Sequence, residues 1–399
     1  MNRGADAPAS PALDRIPALD VLRGVAVAGI LFANVLVFFG IFFLPPERAA
    51  AFPTAAADSV ARFLERAFIE AKFYSIFSLL FGIGFGLQLS RGGDAVLPRF
   101  RRRLKILLAI GAVHAFLIWS GDILMLYALL GFMLPWFARK PDRELLRWTV
   151  ILLAIPTALY LVGLAVWMLV GPAPAAVPSA ATMPPQFLAI LEHVGTSAKG
   201  ALTGNLVFLA GRWAELFFTA RFPKVLGMFV LGLWTVRAGI ALDPLAHRPL
   251  LAKWSRLGLG VGLPLNLVAA WAVERWPYLP PSAGGLLGVV MQAIGVPMLA
   301  LGYAATIGLL VVDGWRFVRV MAPVGRMALT NYLMHSIVCV VLSYGYGFGL
   351  WWKVGAARAM AIAAAIILVQ IPLSAWWLSR YRFGPVEWIW RRLTYAKPL

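Results

Sequence analysis

A chain of 399 residues that is 61% hydrophobic and only 13% charged is not an ordinary soluble enzyme, which would carry roughly 25% charged residues. Its net charge of +19 does not call for nucleic acid, because basic residues in membrane proteins gather in cytoplasmic loops and set orientation. The one cysteine, Cys339, lies in an apolar run and excludes an intrachain disulfide and a multi-cysteine metal site.

Several apolar runs approach the ~20 residues that cross a ~30 Å hydrocarbon core as helix, and none alternates as barrel strands do. The expected fold class is an all-α polytopic membrane protein with about ten transmembrane helices, both termini cytoplasmic. Residues 1–14 are Ala/Pro-rich without an apolar run and read as a flexible cytoplasmic tail. Residues 15–399 read as a single transmembrane domain.

The first span is expected over residues 19–40. Asp20 and Arg23 stand one helical turn apart at its start and can pair, and Asn34 lies deep within it. Residues 58–71 set Phe63, Ala67 and Phe68 against Arg62, Glu65 and Arg66, which predicts a short interfacial amphipathic helix. The second span, KFYSIFSLLFGIGFGLQLSR, carries Gly82, Gly84 and Gly86, whose spacing permits close helix approach. The most basic loop follows, with Arg91, Arg99, Arg101, Arg102, Arg103 and Lys105.

Residues 104–131, LKILLAIGAVHAFLIWSGDILMLYALLG, form two apolar runs separated at Ser120–Gly121. They contain His114 and Asp122. Ionisable groups at membrane depth are costly, so both are functional candidates. Asp122 also reads as a helix N-cap. A continuous helix would hold the two roughly 12 Å apart, whereas a turn brings them closer. The fifth span is expected over residues 148–170, followed by a Pro/Ala-rich loop. Residues 205–220, with Arg212 and Glu215, are half polar and predict an outer interfacial or re-entrant helix. Four further spans follow, over residues 222–239, 256–274, 285–312 and 323–349, and a tenth over residues 356–379. Asn331 and His335, four apart, predict either a cavity-lining stripe or interhelical hydrogen bonding. A basic, aromatic tail closes the chain. In this topology about two thirds of the 36 Lys and Arg residues fall inside. No internal repeat emerges from the sequence, and no His spacing or GxSxG elbow marks a metal site or a serine hydrolase.

Taken together, the segments LDVLRGVAVAGILFANV, KFYSIFSLLFGIGFG, HAFLIWSGDILMLYALLG, FPKVLGMFVLGLW and PVGRMALTNYLMHS resemble the YeiB-like bacterial inner-membrane proteins. The C-terminal region of that family, here about residues 220–395, is catalogued as a domain of unknown function. The family is similar to a wider set of transmembrane acyltransferases that includes heparan-alpha-glucosaminide N-acetyltransferase. Asp20, Arg23 and Gly24 match the Asp-x-x-Arg-Gly opening of that set. The resemblance implies a multi-pass protein of the bacterial inner membrane. It implies acyl transfer from cytoplasmic acyl-CoA, acetyl-CoA among the candidates, to an acceptor on the other face. The heparan enzyme's active-site His lies between its first two spans, and residues 41–71 here hold no His. Either His114 takes the role from another helix, or this branch has different chemistry or none.

The expected site has His114 as general base oriented by Asp122. Arg101, Arg102, Arg103 and Lys105 would hold the CoA phosphates. Asp20, Arg23, Asn34, Asn331 and His335 would line the cavity, with no metal. The expected partners are the lipid bilayer and a small-molecule, glycan or lipid acceptor, with a homodimer left open and no nucleic acid. The rival reading is a transporter or exporter of a small metabolite or lipid, whose path the same polar residues would line.

Overall fold

The computed structural model describes residues 16–171 and 184–395, and these form helices without a strand among them. The expected N-terminal tail and most of the Pro/Ala-rich loop lie outside the described residues. Six helices or helical runs are long and apolar enough to cross a membrane, or up to eight if each of two bent pairs is one span. The protein is therefore built as a multi-pass membrane protein.

The first long helix, α1 (Pro17–Phe38), starts with Pro in its first turn, where the missing N–H costs nothing. The amphipathic helix α2 (Ala55–Leu64) runs through a π turn, Glu65–Ile69, into α3 (Lys72–Gly92). Helix α4 (Leu97–Val113) carries the basic loop residues at its start and ends in a second π turn, His114–Ile118. The next apolar helix, α5 (Leu124–Gly131), is short. Helix α6 (Asp142–Val170) is followed by α7 (Ala198–Phe218), which is bent by 65° from α8 (Arg221–Arg237). The half-polar segment at residues 205–220 thus forms the second part of α7 and the bend that follows it. Helices α9 (Arg248–Leu257) and α10 (Leu263–Arg275) sandwich a π turn and pair with α11 (Ala283–Val312). A second bend, of 80°, leads from residues 316–326 into α12 (Ala328–Ser343), which is followed by α13 (Ala356–Arg380) and the amphipathic α14 (Pro385–Tyr395).

Close backbone approach at glycines holds these helices together. A Cβ on Gly24 of α1 would strike the Met321 carbonyl, and one on Gly325 would strike the Asp20 carbonyl. Helices α3 and α8 interlock the same way: Gly82 lies against the Phe229 carbonyl and Gly232 against the Leu79 carbonyl. Each helix therefore offers a glycine to the carbonyl three residues before its partner's glycine. Gly86 meets Val236 further along, so the two helices run parallel. Reciprocal contacts between parallel helices describe a local two-fold axis along the bundle. Both helices also open the same way, on an Ala in the left-handed region (Ala71, φ 69°; Ala220, φ 50°) followed by a basic residue and Phe. The pair is a local two-fold repeat, out of register by one residue between elbow and glycine, since Gly82 follows Ala71 by 11 residues and Gly232 follows Ala220 by 12.

Helix α14 docks across the basic end of the bundle. Glu387 accepts from the Leu329 amide (2.7 Å), the Thr330 amide (3.1 Å) and the Thr330 hydroxyl, and so occupies the free donors at the start of α12. On its other side Trp390 donates its indole N–H to the Arg103 carbonyl (3.0 Å).

Gly82→Val should cost about 1–3 kcal/mol or more, because it forces backbone against backbone. Gly84→Ala faces open space and should change stability by less than about 0.5 kcal/mol. Thermal unfolding of the two variants in detergent checks this pair.

Candidate functional site

The break between α4 and α5 folds the two polar groups of this region together. Gly121 lies under the Trp119 indole, where a Cβ would clash, and Gly111 lets the start of α5 press against α4. Asp122 Oδ1 then accepts from His114 Nδ1 at 2.8 Å, and Oδ2 accepts from the Met125 amide at 2.7 Å. Asp122 therefore both orients the imidazole and caps α5. With Nδ1 donating to the carboxylate, a neutral His114 presents Nε2 as an acceptor. That nitrogen meets Ser336 Oγ on α12 at 2.8 Å.

The result is a Ser336–His114–Asp122 chain of hydrogen bonds inside the bundle. The three residues are only 1%, 1% and 6% exposed. The chain has the connectivity of a nucleophile, a base and an orienting carboxylate. Tyr332, one turn before Ser336 on α12, sets its ring 5.3 Å from the imidazole.

Helix α7 holds the other side. Asn205 accepts from the Ser120 amide at 2.7 Å and donates to the Ala115 and Phe116 carbonyls at 3.0 and 3.3 Å. These are the backbone groups freed where the helix ends in a π turn, so a single side chain from a distant helix closes the turn that carries His114.

The remaining expected residues are placed elsewhere. Asn331 donates to the Val324 carbonyl (3.2 Å) and to Ser374 (3.1 Å), and His335 bonds Gln370 at 2.6 Å. These contacts tie α12 to α13, facing away from His114. Asp20 and Arg23 form an ion pair at 2.9 Å near the basic end, and Asn34 is half-buried. Arg101, Arg102 and Lys105 are exposed at that end. Arg103 is half-buried, with its guanidinium 4.1 Å from the centre of the Trp390 ring. Among the described residues no group of three His, Cys, Asp or Glu could hold a metal ion.

Ser336, Tyr332 and Asn205 are the site residues that the sequence reading missed. The signal for Ser336 was its place four residues after Tyr332, on the same face of α12.

A family model described as a protein of unknown function, DUF418, matches residues 235–397, which include Ser336. The chain is 33% identical to the uncharacterized protein YxaH of Bacillus subtilis over 96% of its own length and 94% of that protein. It is 31% identical to the uncharacterized protein YeiB of Escherichia coli, over 96% and 97%. An uncharacterized 39.9 kDa protein in the amylase 3′ region of Bacillus acidopullulyticus is 29% identical over 96% and 95%. No solved structure matches.

Asn205→Ala leaves two buried carbonyls and one amide without their partner. It should lower stability by about 1–3 kcal/mol. Thermal unfolding in detergent reads this.

Proposed function

We propose that this chain, which belongs to the YeiB-like DUF418 family, is an acyltransferase of the bacterial inner membrane. It takes the acyl group of cytoplasmic acyl-CoA and passes it to an acceptor at the outer face. The observation that carries the reading is the Ser336–His114–Asp122 chain, in which a base has a hydroxyl on one nitrogen and a buried carboxylate on the other. In this reading about ten segments cross the bilayer, counting short α5 and the α9–α10 pair as spans, with both termini inside.

The chemistry runs in two transfers. Ser336 Oγ attacks the thioester carbonyl while His114 Nε2 takes its proton. The C–S bond breaks, and the leaving thiolate receives that proton from His114. The acceptor's hydroxyl or amine then attacks the acyl-serine ester and gives its proton to His114, which returns it to Ser336 Oγ. Asp122 keeps the proton on Nδ1 and stabilises the imidazolium that forms in each half. Arg101, Arg102 and Lys105 are the exposed cations offered to the CoA phosphates. The rise of α4 carries the chain from Arg103 to His114, roughly 16 Å, so one helix links the donor face to the reacting groups.

A transporter is the second reading, and the two bent helix pairs favour it, because broken helices build transport sites. His114 would then relay protons.

Purified protein in detergent, incubated with radiolabelled acetyl-CoA, should carry an ester on the Ser336 peptide in mass spectrometry. Ser336→Ala should abolish that label, and His114→Ala should slow its appearance by ~10³-fold or more. No label on Ser336 together with no acyl-CoA binding by calorimetry would overturn the proposal. Proton-coupled flux in vesicles, lost in His114→Ala, would establish the transporter instead.

A further inference from the structure

The face of α7 that holds the His114 turn does not end at Asn205. Two turns on, it carries Arg212. Arg212 Nη1 donates to Glu215 Oε2 at 2.6 Å, and Arg221 Nη2 donates to Glu215 Oε1 at 2.7 Å. Two guanidinium groups therefore share one carboxylate. Lys224 follows Arg221 by one turn, and Glu70 reaches Arg221 and Lys224 from the start of α3. Glu70 is shared with Lys72 of the first elbow, so the two guanidinium groups have Glu215 as their hydrogen-bonded carboxylate and the pair stays net positive.

Two buried donors in this cluster also lack an acceptor. Arg212 Nε is buried without a partner, and so is the hydroxyl of Tyr332, whose residue is 5% exposed. Tyr332 lies within electrostatic reach of both Arg212 and Asp122. The Ile123 backbone stands close to the Tyr332 oxygen without meeting hydrogen-bond geometry, so the hydroxyl proton remains unaccepted. Tyr332 thus joins the cluster to the serine–histidine chain, since its ring also packs on His114.

The internal repeat shows that this arrangement is not imposed by the fold. The first elbow reads Arg62-Phe63-Leu64-Glu65 and then Ala71-Lys72-Phe73. The second reads Arg212-Trp213-Ala214-Glu215 and then Ala220-Arg221-Phe222. The π turn at Glu65–Ile69 takes up the extra residue of the first copy. In the first elbow Arg62 bonds Ser59 at the surface (3.0 Å), and Lys72 is buried with its ammonium on the Arg66 carbonyl (2.5 Å). In the second, Arg212 is bonded to Glu215 and its buried Nε has no partner. The same elbow serves both copies: near the first, the buried Tyr278 hydroxyl lacks a partner, whereas in the second the bare groups, Arg212 Nε and the Tyr332 hydroxyl, lie towards the serine–histidine chain.

We infer that Arg212, Arg221 and Tyr332 form an oxyanion site, which takes the phosphate or carboxylate of the molecule that reaches Ser336. Naming that molecule as the acyl acceptor rests on the acyltransferase reading; the anion site does not. An oxyanion supplies acceptor oxygens for both bare donors and balances the excess charge.

The test uses full-length Ser336→Ala protein in detergent, which cannot form an acyl-serine. Inorganic phosphate and acetate are titrated separately against chloride at constant ionic strength, with thermal shift and calorimetry as readouts. At least one anion should bind saturably, and the stronger of the two identifies the class. Arg212→Gln, added to this background, should weaken binding ~10-fold or more, and Tyr332→Phe ~3-fold or more. Arg62→Gln, at the matching place in the first elbow, should leave it unchanged. No saturable binding of either anion overturns the inference, as does equal affinity in Arg212→Gln. If Arg212→Gln does not fold, the isosteric Tyr332→Phe decides by the same criterion. Anion binding in this background, with wild-type protein that neither forms an acyl-serine nor binds acyl-CoA, would overturn the acyltransferase reading and leave the site standing.

Discussion

A carboxylate in the core of an apolar bundle is tolerated only while its oxygens are occupied, because an unpaired buried charge costs several kcal/mol. Asp122 meets that condition with His114 Nδ1 on one oxygen and the Met125 amide on the other. Much of the local structure follows. The chain must reverse between α4 and α5, which requires Gly121 beneath Trp119. The reversal frees backbone groups at the end of α4, and Asn205 of α7 takes them up. The imidazole, fixed at Nδ1, needs a donor at Nε2, and Ser336 of α12 supplies it. One buried charge thus binds four helices to a common geometry, and no member can be removed without leaving another unsatisfied.

The glycines make that geometry rigid. Lipid tails are as apolar as leucine, so helices in a bilayer gain little by hiding apolar faces from lipid and associate instead through close packing. Gly24 and Gly325 pin α1 to the segment before α12, and Glu387 of α14 holds the first turn of α12. Ser336 is therefore positioned from both the bundle and the C-terminal helix. Functional side chains held by packed, hydrogen-bonded neighbours need little reorganisation when they react.

Composition alone revealed the membrane class, and the cost of burying charge singled out His114 and Asp122. The number of spans was less legible. Helix α5 is short and α7 mixes polar with apolar residues, so length and hydropathy do not assign either. Ser336 was hidden by its chemistry: serines in apolar helices commonly bond their own backbone, as Ser75 and Ser78 do here. Asn331 and His335 looked more functional because they are more polar, yet they face Ser374 and Gln370. Ser336 is one residue from His335 and so points about 100° away, which no pattern of residue types alone could weigh. The repeat was obscured because few positions carry it and a π turn shifts one copy by a residue.

That repeat explains why only one copy bears the proton-handling residues. Around a two-fold axis the two copies meet themselves, so the axial glycines of α3 and α8 are held to the same requirement in each. Positions away from the axis meet different neighbours and are free to differ. Helices α4 and α9 both begin with Pro in the first turn and run in the same sense after their elbows. Past its π turn the second copy has Asn266, which is 1% exposed and donates to the Gly262 carbonyl of its own helix. That amide satisfies the backbone of the π turn at Gly258–Gly262 and, unlike an imidazole, does not take up a proton. The imidazole therefore sits in the first copy and the spare arginine in the second. The bundle brings them together because α7 reaches the π turn at His114–Ile118 through Asn205 and carries Arg212 two turns further on.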